Sequence, residues 1–264
     1  MADELRDLAL RVLTADSLDE KLRAWPRDLS DLAPGLALCV LQPTRPANLQ
    51  FAGRKQAPPM PKPPSLRLPE KRAIAHHIMA NHELQAVEVM AWTLLAFPEA
   101  PPDFRRGIAR ILQDEQRHTR LHLQRAADLG TPFGSLPVNG YIWKQTAQWK
   151  TLLDYIANLP LVFEARNLDH SLELADAFAA AGDELSRDVM QAIHHDEIQH
   201  VAFGWHWLTT LKPADVSEWD AFRSHLHWPM QPEKSRGIVF QSAARRAAGM
   251  SEEFLRHLDP KETS

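Results

Sequence analysis

Apolar positions recur at three- and four-residue spacing through most of the chain, a pattern that predicts helices rather than strands. Residues 2–24 read as one or two short amphipathic helices, with Leu5, Leu8, Val12 and Leu13 on one stripe. From Glu70 to Phe97 the repeat is carried by Ile74, Ile78, Leu84, Val87, Ala91, Leu94 and Leu95. Pro98-Glu-Ala-Pro-Pro102 closes that helix, and proline suits the first turn of the next, which runs to Leu129 before the natural stop at Gly130. A third helix over about 151–181 is expected to kink or restart at Pro160. Gly182-Asp183 separates it from a fourth over 184–210. Shorter helices follow over 215–258, one of them with Ser251 as its N-cap.

Two stretches interrupt the periodicity. Pro43, Pro46, Pro58, Pro59, Pro61, Pro63, Pro64 and Pro69 forbid regular helix over 42–69 and leave an extended strap, which reads as a wrapping linker. Residues 131–150 hold Gly134, Pro137, Asn139 and Gly140 beside Tyr141, Trp143 and Trp149, the make-up of an ordered crossover. The expected organisation is all-α and in three parts. N-terminal helices and the Pro-rich strap occupy 1–69, four long helices 70–212, and a C-terminal helical extension packed on them 213–264.

Composition narrows the class without naming a function. A hydrophobic fraction of 44% supports a sizeable core, and a net charge of −4 points to neither nucleic acid nor an anionic membrane. The single Cys39 excludes an intramolecular disulfide and any cysteine-based metal cluster, which fits a reducing compartment. No apolar run approaches the length of a membrane span, and Met1-Ala-Asp-Glu-Leu-Arg is unlike a signal peptide. The expectation is a soluble, cytoplasmic protein with no membrane or nucleic-acid partner.

The chemistry lies in a repeated motif. Asp114-Glu115-Gln116-Arg117-His118 and Asp196-Glu197-Ile198-Gln199-His200 are both Asp-Glu-x-x-His. On a helix, Glu and His three residues apart share a face, so one ion can bind both. Roughly one Glu-x-x-His is expected by chance at this composition, but requiring a preceding Asp lowers that to roughly 0.05. The motifs fall on the second and fourth long helices. The third offers Glu164 within Leu161-Val162-Phe163-Glu164-Ala165, and the first offers Glu83 and Glu88. Glu83 and Glu115 are 32 residues apart with their midpoint in the Pro98–Pro102 turn, and Glu164 and Glu197 are 33 apart with theirs beside Gly182. In an antiparallel hairpin, residues equidistant from the turn lie at one level, so each lone Glu is level with a Glu-x-x-His pair. This argument does not exclude Glu88 in place of Glu83. Four carboxylates and two imidazoles suit two iron or manganese ions, whose charge the acids offset. Such a ligand set, two lone Glu and two Glu-x-x-His, is that of a ferritin-like dinuclear site.

Over roughly 70–210 the chain resembles the ferritin-like di-iron carboxylate superfamily, through Glu83, Glu115-x-x-His118, Glu164 and Glu197-x-x-His200. It looks most like the uncharacterised ferritin-like family called domain of unknown function 455. That likeness is carried by Asn81-His82-Glu83-Leu84, Leu136-Pro137-Val138-Asn139 and His195-Asp196-Glu197-Ile198-x-His200-Val-Ala-Phe-Gly. Asp114-Glu115-Gln116-Arg117-His118 is also similar to the Asp-Glu-x-Arg-His motif of di-iron monooxygenases. The resemblance implies a ferritin-like four-helix bundle and oxygen chemistry, favours Glu83 over Glu88, and supplies no substrate.

The remaining candidates are weighed individually. Asp114 and Asp196 each precede a ligand Glu, and each is expected to accept the second ring N–H of a metal-bound histidine on the opposite helix. His76, His77, His82, His194 and His195 flank the ligands and are expected to stay outside the set. Trp92, Phe163, Phe203, Trp205 and Trp207 read as core, and Lys234, Arg236, Arg245 and Arg246 as a solvated basic face rather than an anion site. The function expected is a di-iron oxidoreductase of oxygenase, hydroxylase or desaturase type, with Mn/Fe or di-manganese occupancy as variants. Its partners would be O₂, a small organic substrate and an external electron donor, since no flavin or nicotinamide fingerprint is present; a homo-oligomer is compatible with the sequence. The alternatives are a ferroxidase or peroxide reductase of rubrerythrin type, and a non-catalytic helical interaction module stapled by metal.

Overall fold

The protein is described by a computed structural model covering residues 4–26, 29–53 and 55–259. Its regular structure is all-α: ten α-helices, short 3₁₀ turns and one π-helical turn, with no strand beyond isolated bridges among the described residues. No described helix is long and apolar enough to cross a membrane. The chain divides into two compact units, residues 1–147 and 148–264.

In the first unit, α1 (Leu5–Thr14) and α2 (Leu18–Lys21) precede the strap, and α3 (Pro69–Ala96) and α4 (Pro102–Asp128) form the long hairpin. Both long helices begin with proline at the first helical position, where its missing N–H costs nothing. These bounds match the periodicity to within a residue or two. The α1 stripe of Leu5, Leu8, Val12 and Leu13 is buried, and α1 packs on α3.

α3 is buried almost all round, so its polar residues must find partners within the protein. His77, Asn81, Gln85 and Glu88 follow at four-, four- and three-residue steps and form one polar stripe. This stripe ties down the two irregular segments. His77 Nε2 accepts from the Gly134 N–H at 3.0 Å, and burial lowers its pKa to about 4, which keeps the ring a neutral acceptor. Asn81 Nδ2 donates to the Asn139 carbonyl at 2.9 Å, and Gln85 Oε1 accepts from the Ile142 and Trp143 N–H groups at 3.1 Å each. The expected ordered crossover is therefore anchored at three points along a single helix.

The strap is more than a linker. It is extended except for 3₁₀ turns at Ala47–Leu49 and Pro63–Arg67, and it inserts Arg45 into the core. Arg45 donates to Glu88 through Nε and Nη2, the latter at 2.6 Å, and to Asn81 Oδ1 at 3.0 Å. Lys21, fully buried, donates to the Val12 carbonyl at 2.6 Å and lies 3.1 Å from Glu88 Oε1.

In the second unit, α5 (Leu152–Asn158) opens with a capping box between Thr151 and Asp154. A π-helical turn, Leu159–Glu164, joins it to α6 (Ala165–Ala180), and α7 (Glu184–Leu211) returns antiparallel to α6. The expected break at Pro160 thus takes a definite form. Proline has no N–H for the helical ladder, and the Ala165 N–H reaches back five residues to the Pro160 carbonyl. π turns of this kind recur at functional sites, and this one ends on Glu164. Gly204, mid-helix in α7, makes room for it: a Cβ there would overlap Pro160 Cβ and reach Leu161 Cδ2 at 3.4 Å. Gly204→Ala is accordingly expected to cost about 1–3 kcal/mol through overpacking. An unchanged urea midpoint would show that the π turn can move aside freely.

Three short helices, α8 (Glu218–Ser224), α9 (Ser242–Ala247) and α10 (Glu252–Leu258), complete the second unit, with Ser251 capping α10 as expected. The basic-face reading of Arg245 is corrected. Arg245 is fully buried and pairs bidentately with Asp169 of α6, at 2.7 and 2.9 Å. It also donates to the Ala165 and Ser235 carbonyls and lies over the Phe240 ring. Arg246 and Arg236 pair with Glu252 and Asp259. Trp205 packs edge-on to Phe254 and Trp207 is buried, in line with a core role.

Candidate metal centre

The first unit gathers three of the expected ligands. Glu83 comes from α3, and Glu115 and His118 from one turn of α4; each offers a ligand atom within 4.8 Å of the other two. All three are buried, as are the apolar Ile108, Ile111 and Leu112 of α4. His118 Nδ1 lies 3.5 Å from Glu115 Oε2.

The second unit gathers the other three. Glu164 stands at the end of the π turn, and Glu197 and His200 on α7. Glu164 and His200 offer ligand atoms within 4.8 Å of each other, and His200 Nδ1 lies 3.4 Å from Glu197 Oε2. Asn167, three residues beyond Glu164 on α6, donates to Glu197 Oε1 at 2.9 Å. Glu197 Oε2 is buried and makes no hydrogen bond among the described residues.

These separations have a chemical reading. At 3.4–3.5 Å, the N and O of each Glu-x-x-His pair are beyond a good hydrogen bond. Two donors about 2.1 Å from one ion stand roughly 3–4 Å apart at ordinary coordination angles. A buried carboxylate oxygen without a hydrogen bond is costly unless a cation meets it. Donor type, burial and the Glu197 oxygen therefore fit a divalent metal.

The two α3 carboxylates have different partners. Both Glu88 oxygens are taken by Arg45 and Lys21, whereas Glu83 lies with Glu115 and His118. Asp114 is half exposed and pairs with Arg117 at 2.9 Å, and Asp196 is half buried. Of the flanking histidines, His77 holds the crossover, as described above, and His194 meets Ser171 at 3.0 Å.

Two residues of this region lie outside the set that sequence reasoning singles out, Asn167, described above, and His122. His122 is four residues after His118 and seven after Glu115, so all three share a face of α4. It is fully buried, with Nε2 at 3.8 Å from Glu83 Oε1 and Nδ1 at 2.9 Å from His76 Nδ1. Its Nε2 makes no hydrogen bond among the described residues. Burial holds its pKa well below the ordinary value, and His76, His118 and His82 push the same way against Glu115. The spacing Glu115-x-x-His118-x-x-x-His122 was the available signal.

Comparisons with known proteins add a family and no chemistry. The family model described as "Protein of unknown function (DUF455)" matches residues 7–256. An "Uncharacterized protein" of Haemophilus influenzae is 26% identical over 199 residues, covering 71% of this chain. The match spans just under two thirds of that relative, 66% of its length. No solved structure matches.

Proposed function

The chain belongs to that family, and we propose from its own residues that it is a di-iron oxidoreductase that uses O₂ to oxidise a small organic substrate. In this reading the α3–α4 and α6–α7 hairpins are the halves of a ferritin-like four-helix bundle. Glu83, Glu115, His118, Glu164, Glu197 and His200 together hold two ions. The observation that carries the reading is the duplication: each unit buries a Glu-x-x-His pair beside one further carboxylate.

Iron cycling between its ferrous and ferric states would supply the electrons for O₂ reduction, and Mn/Fe or di-manganese occupancy would suit the same donors. The protein's part is to hold, orient and exclude. Four carboxylates match the charge of two divalent ions, which offsets the cost of burying them. Buried apolar residues close to the donors in sequence, Ile111 and Leu112 in the first unit and Leu161 and Val162 in the second, would keep water from them. Asn167 fixes one Glu197 oxygen and leaves the other for metal. Asp114 and Asp196 would accept the second N–H of ligand imidazoles, with Arg117 steadying Asp114. Electrons would come from an external donor.

The test is metal analysis of anaerobically purified protein, followed by rapid mixing with O₂. About two irons per chain are expected, fewer in Glu115→Ala, with an optical change on oxidation. Turnover of peroxide with no organic substrate would select the peroxide reductase, and a metal inert to O₂ the stapled module. Metal-free protein that takes up no iron would overturn the reading.

A further inference from the structure

Between α3 and the crossover of the first unit lies a surface cavity of about 300 Å³, lined by His82, Asn139, Gly140, Tyr141 and Lys144. That volume is at the low end for small-molecule sites, enough for a compact organic ligand. Its wall is held in place from behind. Asn139 is fixed through its carbonyl by Asn81, and its Oδ1 accepts from the Tyr141 N–H at 3.0 Å. Gly140 is pressed against the Phe51 ring, where a Cβ would come within 2.8 Å. The following residues are tied to Gln85. A concave site whose wall is so anchored is preorganised for binding.

The polar groups have one sign. Lys144 supplies a full positive charge and makes no ion pair among the described residues. Tyr141 carries a hydroxyl and Asn139 an amide, both able to donate, and no carboxylate lines the cavity among the described residues. His82 is adjacent in sequence to Glu83 on α3. One wall of the cavity thus belongs to the turn of α3 that carries a candidate metal ligand. A single lysine with neutral donors matches a monoanion better than a phosphate, which ordinarily draws several cations or a helix N-terminus.

We propose that this cavity binds the carboxylate group of a small organic acid through Lys144, Tyr141 and Asn139, and that such acids are the substrate class of the enzyme. The assignment of substrate rests on the oxidoreductase reading; the assignment of a binding site does not. Lys144 anchors the charged end, and the ring of Tyr141 and the Gly140 backbone flank the organic part.

The probes are benzoate, its uncharged analogue benzamide, and inorganic phosphate, titrated against the full chain with ligand-observed NMR. Benzoate is expected to bind, benzamide and phosphate about tenfold more weakly or not at all. Lys144→Met should weaken benzoate about tenfold or more and Tyr141→Phe several-fold, with the melting temperature and bound metal unchanged. Lys144 is exposed, so its replacement leaves the core intact. The proposal is overturned if benzamide or phosphate binds as well as benzoate, if none of the three binds, or if Lys144→Met retains parental affinity. It is overturned equally if benzoate affinity disappears in Glu115→Ala, because the ligand would then be on the metal. Failure of the metal reading is scored separately, by the iron content of the parent.

Discussion

Urea denaturation of a Glu88→Ala variant is expected to show a loss greater than the roughly 3–5 kcal/mol that breaking an ordinary buried ion pair costs. Against a typical stability of about 5–15 kcal/mol, that could prevent folding altogether. Glu88 is fully buried and faces two buried cations, Arg45 at 2.6 Å and Lys21 at 3.1 Å. Removing it leaves both without their anion. Arg45→Met should cost less, about 3–5 kcal/mol, because Lys21 and Glu88 remain as a one-to-one pair. Burial already lowers the Lys21 pKa and Arg45 adds to the shift, so losing Arg45 relieves a like-charge contact. Lys21→Met should cost least of the three, since Arg45 retains its several bonds to Glu88 and its bond to Asn81. A triple replacement, Lys21→Met with Arg45→Met and Glu88→Leu, should recover most of the loss, as apolar substitutes for buried ion clusters often do. A Glu88→Ala protein within about 1 kcal/mol of the parent would falsify this ranking.

That cluster also marks where sequence reading ran out. The long helices were legible because their signal is local: apolar spacing, prolines at first turns and glycines at ends fix α3, α4 and α7 to within a residue or two. The six ligand candidates were legible because Glu-x-x-His is a spacing on one helix, and hairpin symmetry relates it to a lone Glu. Arg45 carries no such signal. It lies 43 residues from Glu88 in an aperiodic strap, and nothing local says that a basic residue among prolines is buried. Arg245, 76 residues from Asp169, was misread for the same reason. His122 does carry a local signal, one turn beyond His118 on the same face of α4, but it lies outside the Glu-x-x-His spacing. Pro160 was recognised as a disruption, yet its resolution as a π turn depends on Gly204, more than forty residues later and on another helix.

The second large effect concerns Glu197, where a stability change and a binding change are expected to have opposite signs. Glu197→Gln keeps the size and the Asn167 contact while removing the formal charge. With Oε1 accepting from Asn167, the new amide is aimed at His200 Nδ1, now 3.4 Å from Oε2, and can donate there. In chelated protein the parent buries a carboxylate oxygen with no hydrogen bond, a cost of about 1–3 kcal/mol. The metal-free variant should therefore melt several degrees above the metal-free parent, at about 2–4 °C per kcal/mol for a chain of this size. With metal the order reverses. At free iron 1,000-fold above its Kd, the parent gains about 4.1 kcal/mol, or about 8–16 °C, more than the variant's metal-free advantage, while the variant gains almost nothing. The measurement is anaerobic thermal melting of both proteins with and without chelator, alongside their iron content. If Glu197 were an ordinary buried acid with no metal to meet, the glutamine variant would be the more stable under both conditions. Only metal binding at this carboxylate makes the two melting curves cross over.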